Sequence, residues 1–326
     1  MIKRVLVTGA GGFVGHHLVT FLKERGYWVR GADIKRNDFA PSAADEFAIV
    51  DLREEGSALA VAEGVAEVYA LAADMGGMGY ISANHARILH DNSLINLHTI
   101  EAASKQGVQR YLFTSSACVY PEFRQADAAV VPLKEHEAYP AQPQDAYGWE
   151  KLIAERLCLY YGRERGIETR IARLHNVFGP EGTWEGGREK APAALARKIA
   201  FAQQTGDHEI EIWGDGQQTR SFCYIDDCLL GLHALMRSDF REPVNLGQDR
   251  MVTIDQLADI IAELAGARIT KRHVDGPVGV RGRNSDNTLA AETLGWSPKV
   301  SLEEGLARTY EWISAQVSAR VSTAAR

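Results

Sequence analysis

Short apolar runs alternate with longer segments of helical periodicity along the first half of the chain. The apolar runs are rich in β-branched and aromatic residues and cover positions 4–8, 28–32, 68–72, 111–114 and 170–174. Helical spacing of apolar positions follows the first run from Leu18 and recurs at 92–105 and 147–166. Strands that alternate with helices are typical of a parallel sheet covered on both faces. The pattern therefore predicts an α/β fold built on a doubly wound parallel sheet.

A glycine-rich turn follows the first predicted strand. Gly9, Gly12 and Gly15 have GxxGxxG spacing between that strand and a helix, an arrangement that lets backbone approach a pyrophosphate at the helix amino end. Asp33 closes the second predicted strand, where a carboxylate accepts hydrogen bonds from both adenosine ribose hydroxyls and repels a 2'-phosphate. Lys35 and Arg36, just beyond Asp33, would favour the opposite choice. Together these residues predict a Rossmann-type sheet that binds NAD in preference to NADP.

The pattern becomes irregular after position 174, where glycine and proline crowd residues 179–192. We expect a smaller domain to begin there, with a helix at 193–204, an extended run at 209–213 and helices at 254–265 and 302–317. A strand and helix at 222–237 would return to the main sheet. We predict an NAD-binding domain at 1–175 with a returning segment at about 215–247. Residues 176–214 and 248–326 would form a smaller α/β substrate domain, with a cleft between the two.

Composition narrows the class of protein. The chain has 326 residues, a formal net charge of -7 and four cysteines. The negative charge disfavours nucleic-acid binding, and the chain has neither a signal-peptide pattern nor the roughly 18-residue apolar stretch of a membrane span. The cysteines lack metal-ligand spacing, so we predict no metal site and buried, inert thiols at Cys158, Cys223 and Cys228. We expect a cytoplasmic protein with no membrane segment, whose last residues, 318–326, fray.

Tyr147 and Lys151 stand one helical turn apart, and Ser116 ends the predicted strand before them. A tyrosine is a poor base at its ordinary pKa of about 10, and a cation one turn along would lower that pKa. Ser116 would hydrogen-bond the same substrate oxygen. These three residues predict a hydride-transfer site in which Tyr147 removes a hydroxyl proton. Cys118, two positions after Ser116, adds a thiol to this site.

In chain order, the glycine turn, Ser116, Tyr147 and Lys151 resemble the extended short-chain dehydrogenase/reductase family of nucleotide-sugar epimerases and dehydratases. Longer blocks that span nearly the whole chain are similar to the members that epimerise GDP-mannose: 72–79, 115–123, 143–148, 182–194, 214–222 and 279–287. The resemblance implies retained NAD, GDP-mannose as substrate with GDP-sugar products, and a homodimer formed through the helices at 92–105 and 147–166.

The resemblance also implies a reaction. A ketone formed at C4 of the sugar acidifies the hydrogens at C3 and C5, so that one oxidation allows inversion at both carbons. Inversion needs an acid and a base on opposite faces of the ring, and Cys118 and Lys190 are the candidates. The implied conversion is GDP-D-mannose to GDP-L-galactose. The alternatives are a C5-only epimerase that gives GDP-L-gulose, another GDP-sugar epimerase, a 4,6-dehydratase, which would need an acidic residue at position 118, and an NAD-sensing regulator without catalysis.

The motifs and the resemblance assign the remaining site residues to two groups. The cofactor-binding residues are Gly9, Gly12, Phe13, Val14, Gly15, Asp33, Asp51, Leu52, Ala72, Asn92, Tyr147 and Lys151. The substrate-binding residues are Met75, Gly76, Gly77, Ser116, Ala117, Cys118, Asn176, Glu189, Lys190, Lys198, Gln218, Thr219, Arg220, Arg281 and Arg283. Arg283 is the favoured diphosphate ligand and Arg281 the second, because a guanidinium fork matches phosphate oxygens. Asn92 would begin a helix and serve a proton relay, backbone order or an amino-terminal cap.

Overall fold

A computed structural model describes residues 3–324 of the chain. Its strands are β1 (Arg4–Thr8), β2 (Trp28–Asp33), β3 (Glu46–Ile49), β4 (Glu67–Ala70), β5 (Arg110–Ser116), β6 (Glu168–Leu174), β7 (Val177–Phe178), β8 (Glu209–Trp213), β9 (Thr219–Ser221), β10 (Cys223–Tyr224), β11 (Pro243–Leu246), β12 (Met251–Thr253), β13 (Thr270–Val274) and β14 (Gly282–Arg283). Its α-helices are α1 (Phe13–Glu24), α2 (Glu55–Ala62), α3 (Met78–Ala83), α4 (His85–Lys105), α5 (Ala146–Glu164), α6 (Ala191–Thr205), α7 (Ile225–Arg237), α8 (Ile254–Ala265), α9 (Thr288–Leu294) and α10 (Leu302–Ala324).

Seven strands form one parallel sheet in the order β11-β6-β5-β4-β1-β2-β3. The direction of this order reverses between β1 and β4. In open α/β sheets ligands bind at such a reversal, outside the carboxyl ends of the strands. The predicted α/β class with a doubly wound parallel sheet is confirmed, and the sheet directs attention to the turns after β1, β4 and β5.

The two faces of this sheet are covered by different helices. Successive residues of a strand point to opposite faces, so Val5 and Val7 belong to one buried cluster and Leu6 to another. The first cluster includes Leu18 of α1 and Leu232 of α7, and the second is built with side chains of α2, α4 and α5. Burial on both faces explains why the strands read as nearly continuous apolar runs.

The rest of the chain packs onto the face that α1 and α7 cover. Helices α6, α8 and α10 contact one another, and their buried side chains continue the first cluster. Three short sheets accompany them: β7 with β10, β8 with β13, and β12-β9-β14. Within residues 3–324, no helix combines the length and the apolar character that a membrane span requires. Cys158, Cys223 and Cys228 are buried and free, as predicted.

Three predicted elements differ from those observed. Helix α4 begins at His85, so Asn92 lies inside it, where its side chain is enclosed rather than free to cap a helix end. The strand predicted within 222–237 is β10, which pairs with β7; β11 is the strand that joins the main sheet. The predicted fraying tail is helical to Ala324, because α10 is anchored by fully buried Val317, while residues 325–326 lie outside the described residues.

Candidate active site

A cleft of about 780 Å³ lies at the carboxyl edge of the main sheet. Its lining includes the glycine turn, Ser116, Cys118, Tyr147, Lys151 and Lys190. Almost all of the predicted site residues, all of which fall within the described part of the chain, line this one cleft. The exceptions are Asn92, Thr219 and Arg281. The fold thus gathers residues from widely separated parts of the sequence around a volume typical of a small-ligand site.

The glycine turn forms a cradle between β1 and α1. Gly9 has a φ of 70°, the left-handed region that favours glycine, and its carbonyl accepts the Gly12 N–H at 3.0 Å. A Cβ on Gly15 would stand 2.0 Å from the Gly9 oxygen. Helix α1 begins at Phe13, so its unpaired N–H groups face this turn. The turn therefore fits a dinucleotide pyrophosphate.

Asp33 ends β2 beside this turn. Its carboxylate accepts the Gly11 N–H at 2.9 Å and the Lys35 N–H at 3.2 Å, which fixes its orientation. Burial raises the pKa of Asp33, and these two backbone donors act in the opposite direction. Asp51, on the same side of the cleft, pairs with Arg53 at 2.6 Å between oxygen and nitrogen. A fixed carboxylate at this position fits the ribose of NAD.

Ser116, Tyr147 and Lys151 meet at the carboxyl end of β5. The Ser116 Oγ accepts the Cys118 N–H at 3.1 Å, and the Ser116 hydroxyl also forms a hydrogen bond with the Tyr147 side chain, which acts to lower the tyrosine pKa. Helix α5 is capped by the Asp145 side chain, which accepts the Gly148 N–H at 2.8 Å. A Cβ on Gly148 would stand 2.2 Å from the Cys118 carbonyl oxygen, so glycine lets the helix start pack against the Cys118 turn.

The ionisation of Tyr147 differs from the expectation. Burial raises its pKa well above the ordinary value, and the charges of Glu150, Cys118 and Asp145 act in the same direction. The predicted lowering by Lys151 does not prevail. The physical reason is the burial of the phenol, together with the negative charge of Glu150. The Lys151 Nζ lies 5.5 Å from the centre of the Tyr147 ring and 3.7 Å from the Glu150 carboxylate.

Cys118 faces cationic side chains across the cleft. Arg283 Nη1 donates to the Cys118 Sγ at 3.2 Å, and Arg283 Nε donates to the Gln125 Oε1 at 2.6 Å. Lys190 occupies the N-cap position of α6, without a capping hydrogen bond from its side chain. Burial lowers the pKa of Lys190, and the nearby Cys118 and Cys228 sulfurs oppose this effect. A thiol and an amine thus interact electrostatically within one cleft. Acid–base exchange across a sugar ring requires two such groups, one as acid and one as base.

The other predicted substrate residues surround the far end of the cleft. Arg220 donates to the carbonyls of Thr219, Val278 and Val280, and burial lowers its pKa to about 9, with Arg283 acting in the same direction. Lys198 donates to the Glu211 carbonyl. The Gln218 Oε1 is buried and accepts no hydrogen bond within residues 3–324, which is a feature of groups that bind ligand donors.

Three predicted residues lie outside the lining. Arg281 forms a bidentate ion pair with Asp215 at 2.8 and 2.9 Å on the surface, and this pair holds the Asp215 pKa down at about 2. Thr219 donates to the Ala128 carbonyl. Asn92 bonds Asp74 and Glu150 behind the cleft. Their ligand roles stay predictions.

A contact between two loops was not predicted. Arg188 forms an ion pair with Asp74 at 2.9 Å and lies 3.7 Å from the centre of the Tyr80 ring, while its carbonyl accepts the Gly77 N–H at 2.9 Å. These contacts join the loop after β4 to the loop that carries Lys190. The one signal in the sequence was Asp74, the acid before the glycine run. It becomes informative only when its partner Arg188, more than a hundred residues away, is known.

Comparison with known proteins agrees with this geometry. A model of the NAD dependent epimerase/dehydratase family matches residues 5–247. The GDP-mannose 3,5-epimerase of Arabidopsis thaliana is 50% identical over 316 residues, 96% of this chain and 83% of that relative. The UDP-glucose 4-epimerase of Thermotoga maritima, solved with UDP-glucose, superposes with a TM-score of 0.88 at 28% identity, covering 97% of this chain and 100% of that one.

A further solved structure bears on the cofactor. MoeE5 in complex with UDP-glucuronic acid and NAD superposes with a TM-score of 0.82 at 28% identity, covering 96% of this chain and 100% of that one. The resemblance inferred from the motifs and the prediction of NAD are confirmed. Because the family model spans most of the sequence, this chain belongs to the NAD dependent epimerase/dehydratase family.

Proposed function

We propose that this chain is an isomerase that converts GDP-D-mannose to GDP-L-galactose by inverting C3 and C5. The observation that carries the proposal is the placement of Cys118 and Lys190 in the same cleft as Ser116, Tyr147 and Lys151. A C4 epimerase needs only the hydride-transfer residues. The additional thiol and amine supply the proton exchange that inversion at neighbouring carbons requires. The identity with the Arabidopsis GDP-mannose 3,5-epimerase supports the same substrate.

The catalytic side chains have separate tasks in this reaction. Bound NAD supplies reversible oxidation at C4. Tyr147, in its ionised form, accepts the C4 hydroxyl proton and becomes the neutral phenol, and the Ser116 hydroxyl donates a hydrogen bond to the same sugar oxygen. The resulting ketone makes the C3 and C5 hydrogens acidic, and Cys118 and Lys190 exchange them from opposite faces. Tyr147 then returns its proton to the C4 oxygen.

Nucleotide binding is proposed for the cationic side chains around the cleft. Arg283 would contact the diphosphate, since its guanidinium is 8% exposed and held in place by Gln125. The Gln218 Oε1 would accept a hydrogen bond from the guanine edge. Lys198 and Arg220 would complete the site with positive charge. We also propose the predicted division into an NAD-binding and a smaller substrate domain, with the substrate between them.

The reaction can be tested by proton exchange. Purified protein incubated with GDP-mannose in heavy water is expected to yield epimerised product with deuterium at both C3 and C5, as read by NMR. Deuterium at C5 alone, with gulose configuration, would establish the C5-only alternative. Accumulation of a 4-keto-6-deoxy sugar would establish a dehydratase. Converted product that retains both original hydrogens would contradict the mechanism.

We also propose a homodimer formed through α4 and α5. These helices pack against each other, and their outer face exposes large apolar side chains at Leu97, Trp149 and Ile153. Exposed apolar clusters of this kind mark protein interfaces. Light scattering is expected to give twice the chain mass, and Ile153→Glu is expected to give the monomer, whereas Leu264→Glu on α8 leaves the dimer intact. A monomeric native protein would refute the proposed dimer.

Location in the cytoplasm stays a prediction, testable by cell fractionation.

A further inference from the structure

A buried carboxylate stands directly behind the hydride-transfer pair. Glu150 precedes Lys151 in α5, and the two residues are 1% and 2% exposed. The Glu150 Oε1 lies 3.7 Å from the Lys151 Nζ. Removing a carboxylate and an ammonium from water is costly unless their remaining hydrogen-bonding capacity is satisfied. The arrangement therefore depends on what else contacts Glu150.

Two amide side chains of α4 provide these contacts. Asn92 Nδ2 donates to the Glu150 Oε1 at 2.9 Å, and Asn96 Nδ2 donates to the Oε2 at 2.9 Å. Burial raises the pKa of Glu150, and the Lys151 ammonium and the two amides act in the opposite direction. Because each oxygen has its own donor on a neighbouring helix, the carboxylate cannot rotate away from Lys151.

Asn92 extends this arrangement to the sugar side of the cleft. Its Oδ1 accepts the Asp74 N–H at 2.6 Å, and its Nδ2 also donates to the Asp74 carbonyl at 3.1 Å. Asp74 begins the loop that continues through Gly77 and lines the cleft. One amide side chain therefore fixes the helix that contacts Glu150 relative to the loop beside the sugar.

We propose that Glu150 is a positioning residue for hydride transfer, whose carboxylate, held by Asn92 and Asn96, fixes the Lys151 ammonium beside Tyr147. That ammonium also lies over the Phe113 and Tyr147 rings, at 4.8 and 5.5 Å from their centres. Ring faces attract a cation without defining its position closely. Within residues 3–324, Glu150 is the one carboxylate that forms an ion pair with Lys151.

Glu150 has a second, opposing effect, because its negative charge raises the pKa of Tyr147. Loss of the charge would ease ionisation of the tyrosine but release the lysine. A displacement of about 1 Å in a catalytic group slows a reaction by about 100-fold. Positioning is therefore expected to dominate, and removal of the charge is expected to slow the oxidation of the sugar.

The test compares Glu150→Gln, which keeps size and removes charge, with Glu150→Asp, which keeps charge. Oxidation is followed in a single turnover by the ultraviolet absorbance change of the bound cofactor, with unlabelled and C4-deuterated nucleotide sugar. E150Q is expected to slow oxidation about 10- to 100-fold per NAD-loaded site, with an unchanged KM and a larger deuterium effect. E150D is expected to recover part of the rate. Oxidation by E150Q as fast as by the wild type, or faster, would overturn the proposal.

Glu155 offers a matched control on the same helix. It is equally buried but pairs with Arg173 at 2.7 Å and accepts the Ser115 hydroxyl. Glu155→Gln is expected to lower the unfolding temperature while leaving oxidation per folded site normal. If E155Q slows oxidation as much as E150Q does, general disturbance of α5 explains both and the proposal fails.

Pairing of Glu150 with Lys151 can also be measured without turnover. Glu150→Gln and Lys151→Met are each expected to lower the unfolding temperature. The sum of these two losses is expected to exceed the loss measured for the double variant. Strict additivity would count against the pairing. The inference rests on the proposed function only because it requires that the protein oxidise a sugar. Any nucleotide sugar that the wild type oxidises can therefore be used in the test. If GDP-mannose fails but another sugar is oxidised, only the substrate assignment falls; oxidation of none contradicts both.

Discussion

The guanidinium of Arg283 and the sulfur of Cys118 are in direct contact, with 3.2 Å between Nη1 and Sγ. The two residues are far apart in sequence, one after the strand that ends at Ser116 and the other on a short strand near the carboxyl end. Their contact places the predicted diphosphate ligand and the predicted proton-exchanging thiol at one point. The proposed anchor of the substrate and the proposed proton-exchanging group are therefore adjacent in this cleft, and each can be tested by its own substitution.

Replacement of Cys118 by alanine is expected to lower the rate of epimerisation by about 10² to 10⁴, because one of the two exchanging groups is removed. NAD content is expected to stay normal, since the glycine turn is untouched. Product NMR and cofactor release on denaturation measure the two effects. Cys158→Ala, at a fully buried thiol away from the cleft, is the control and should retain activity. Unaltered conversion by C118A would remove the thiol from the mechanism.

Arg283→Gln and Arg281→Gln should differ sharply although the residues are two positions apart. Arg283 lines the cleft, so its loss is expected to raise the KM for GDP-mannose about 10- to 100-fold, the range for a charged hydrogen bond. Arg281 is paired with Asp215 outside the lining, so R281Q is expected to leave the KM near the native value. Steady-state kinetics of the two variants decide the matter. A larger effect from R281Q would relocate the diphosphate.

Lys190 is expected to exchange its proton at lower pH than an ordinary lysine. Burial lowers its pKa from the usual 10.5, so the neutral amine becomes available on raising the pH before an exposed lysine would supply it. Lys190→Arg keeps the charge but does not release a proton, and should abolish deuterium uptake at one of C3 and C5 while C4 oxidation continues. NMR of product formed in heavy water across a pH series reads both centres. Normal exchange at both carbons in K190R would exclude this role.

His175 is expected to make the fold sensitive to acid. It is fully buried, its Nε2 lies 3.0 Å from the Asn245 Oδ1, and burial lowers its pKa to about 3. An unfolded chain binds this proton below about pH 6.5, whereas the folded chain does so only near pH 3. The contribution of neutral His175 is complete above pH 6.5 and is lost by about 1.4 kcal/mol per pH unit below it.

Urea unfolding of wild type and His175→Gln between pH 7 and 4 checks this expectation. The free energy of unfolding should fall less steeply with acid in H175Q, since glutamine has no proton to gain. Parallel slopes for H175Q and wild type would show that acid acts elsewhere.

Local patterns predicted the cofactor side of the site well. The glycine turn, Asp33 and the Tyr147–Lys151 pair each depend on residues a few positions apart, whose relative geometry one strand or one helical turn fixes. Five of the seven strands of the main sheet were also predicted, because burial makes them apolar runs, whereas β3 and β11 were not predicted. Four strands of two or three residues, β7, β9, β12 and β14, were missed, since so short a segment has no periodicity.

Burial and contacts between distant segments account for the features that the sequence did not predict. Asn92 was placed at a helix end because asparagine favours that position, but its buried amide bridges Asp74 and Glu150. Lys151 was expected to lower the pKa of Tyr147, but burial of the phenol raises that pKa, and the charge of Glu150 adds to the effect. Arg281 was given a ligand role that its ion pair with Asp215 does not favour. The partners of Asn92 and Arg281 lie in other elements, far from them in sequence.

Strand β11 pairs with β6 in the main sheet but follows it only after a long stretch of chain. The sheet is therefore completed late in synthesis. All of the residues between these strands must leave the ribosome before the seventh strand is available. Until then β6 presents an open edge, a template for unwanted pairing with other chains. A shortened protein that stops after β6 would keep the dinucleotide turn and yet carry that open edge permanently. Truncation at this point is therefore expected to give aggregated material, and the shortest practical fragment must extend beyond Leu246.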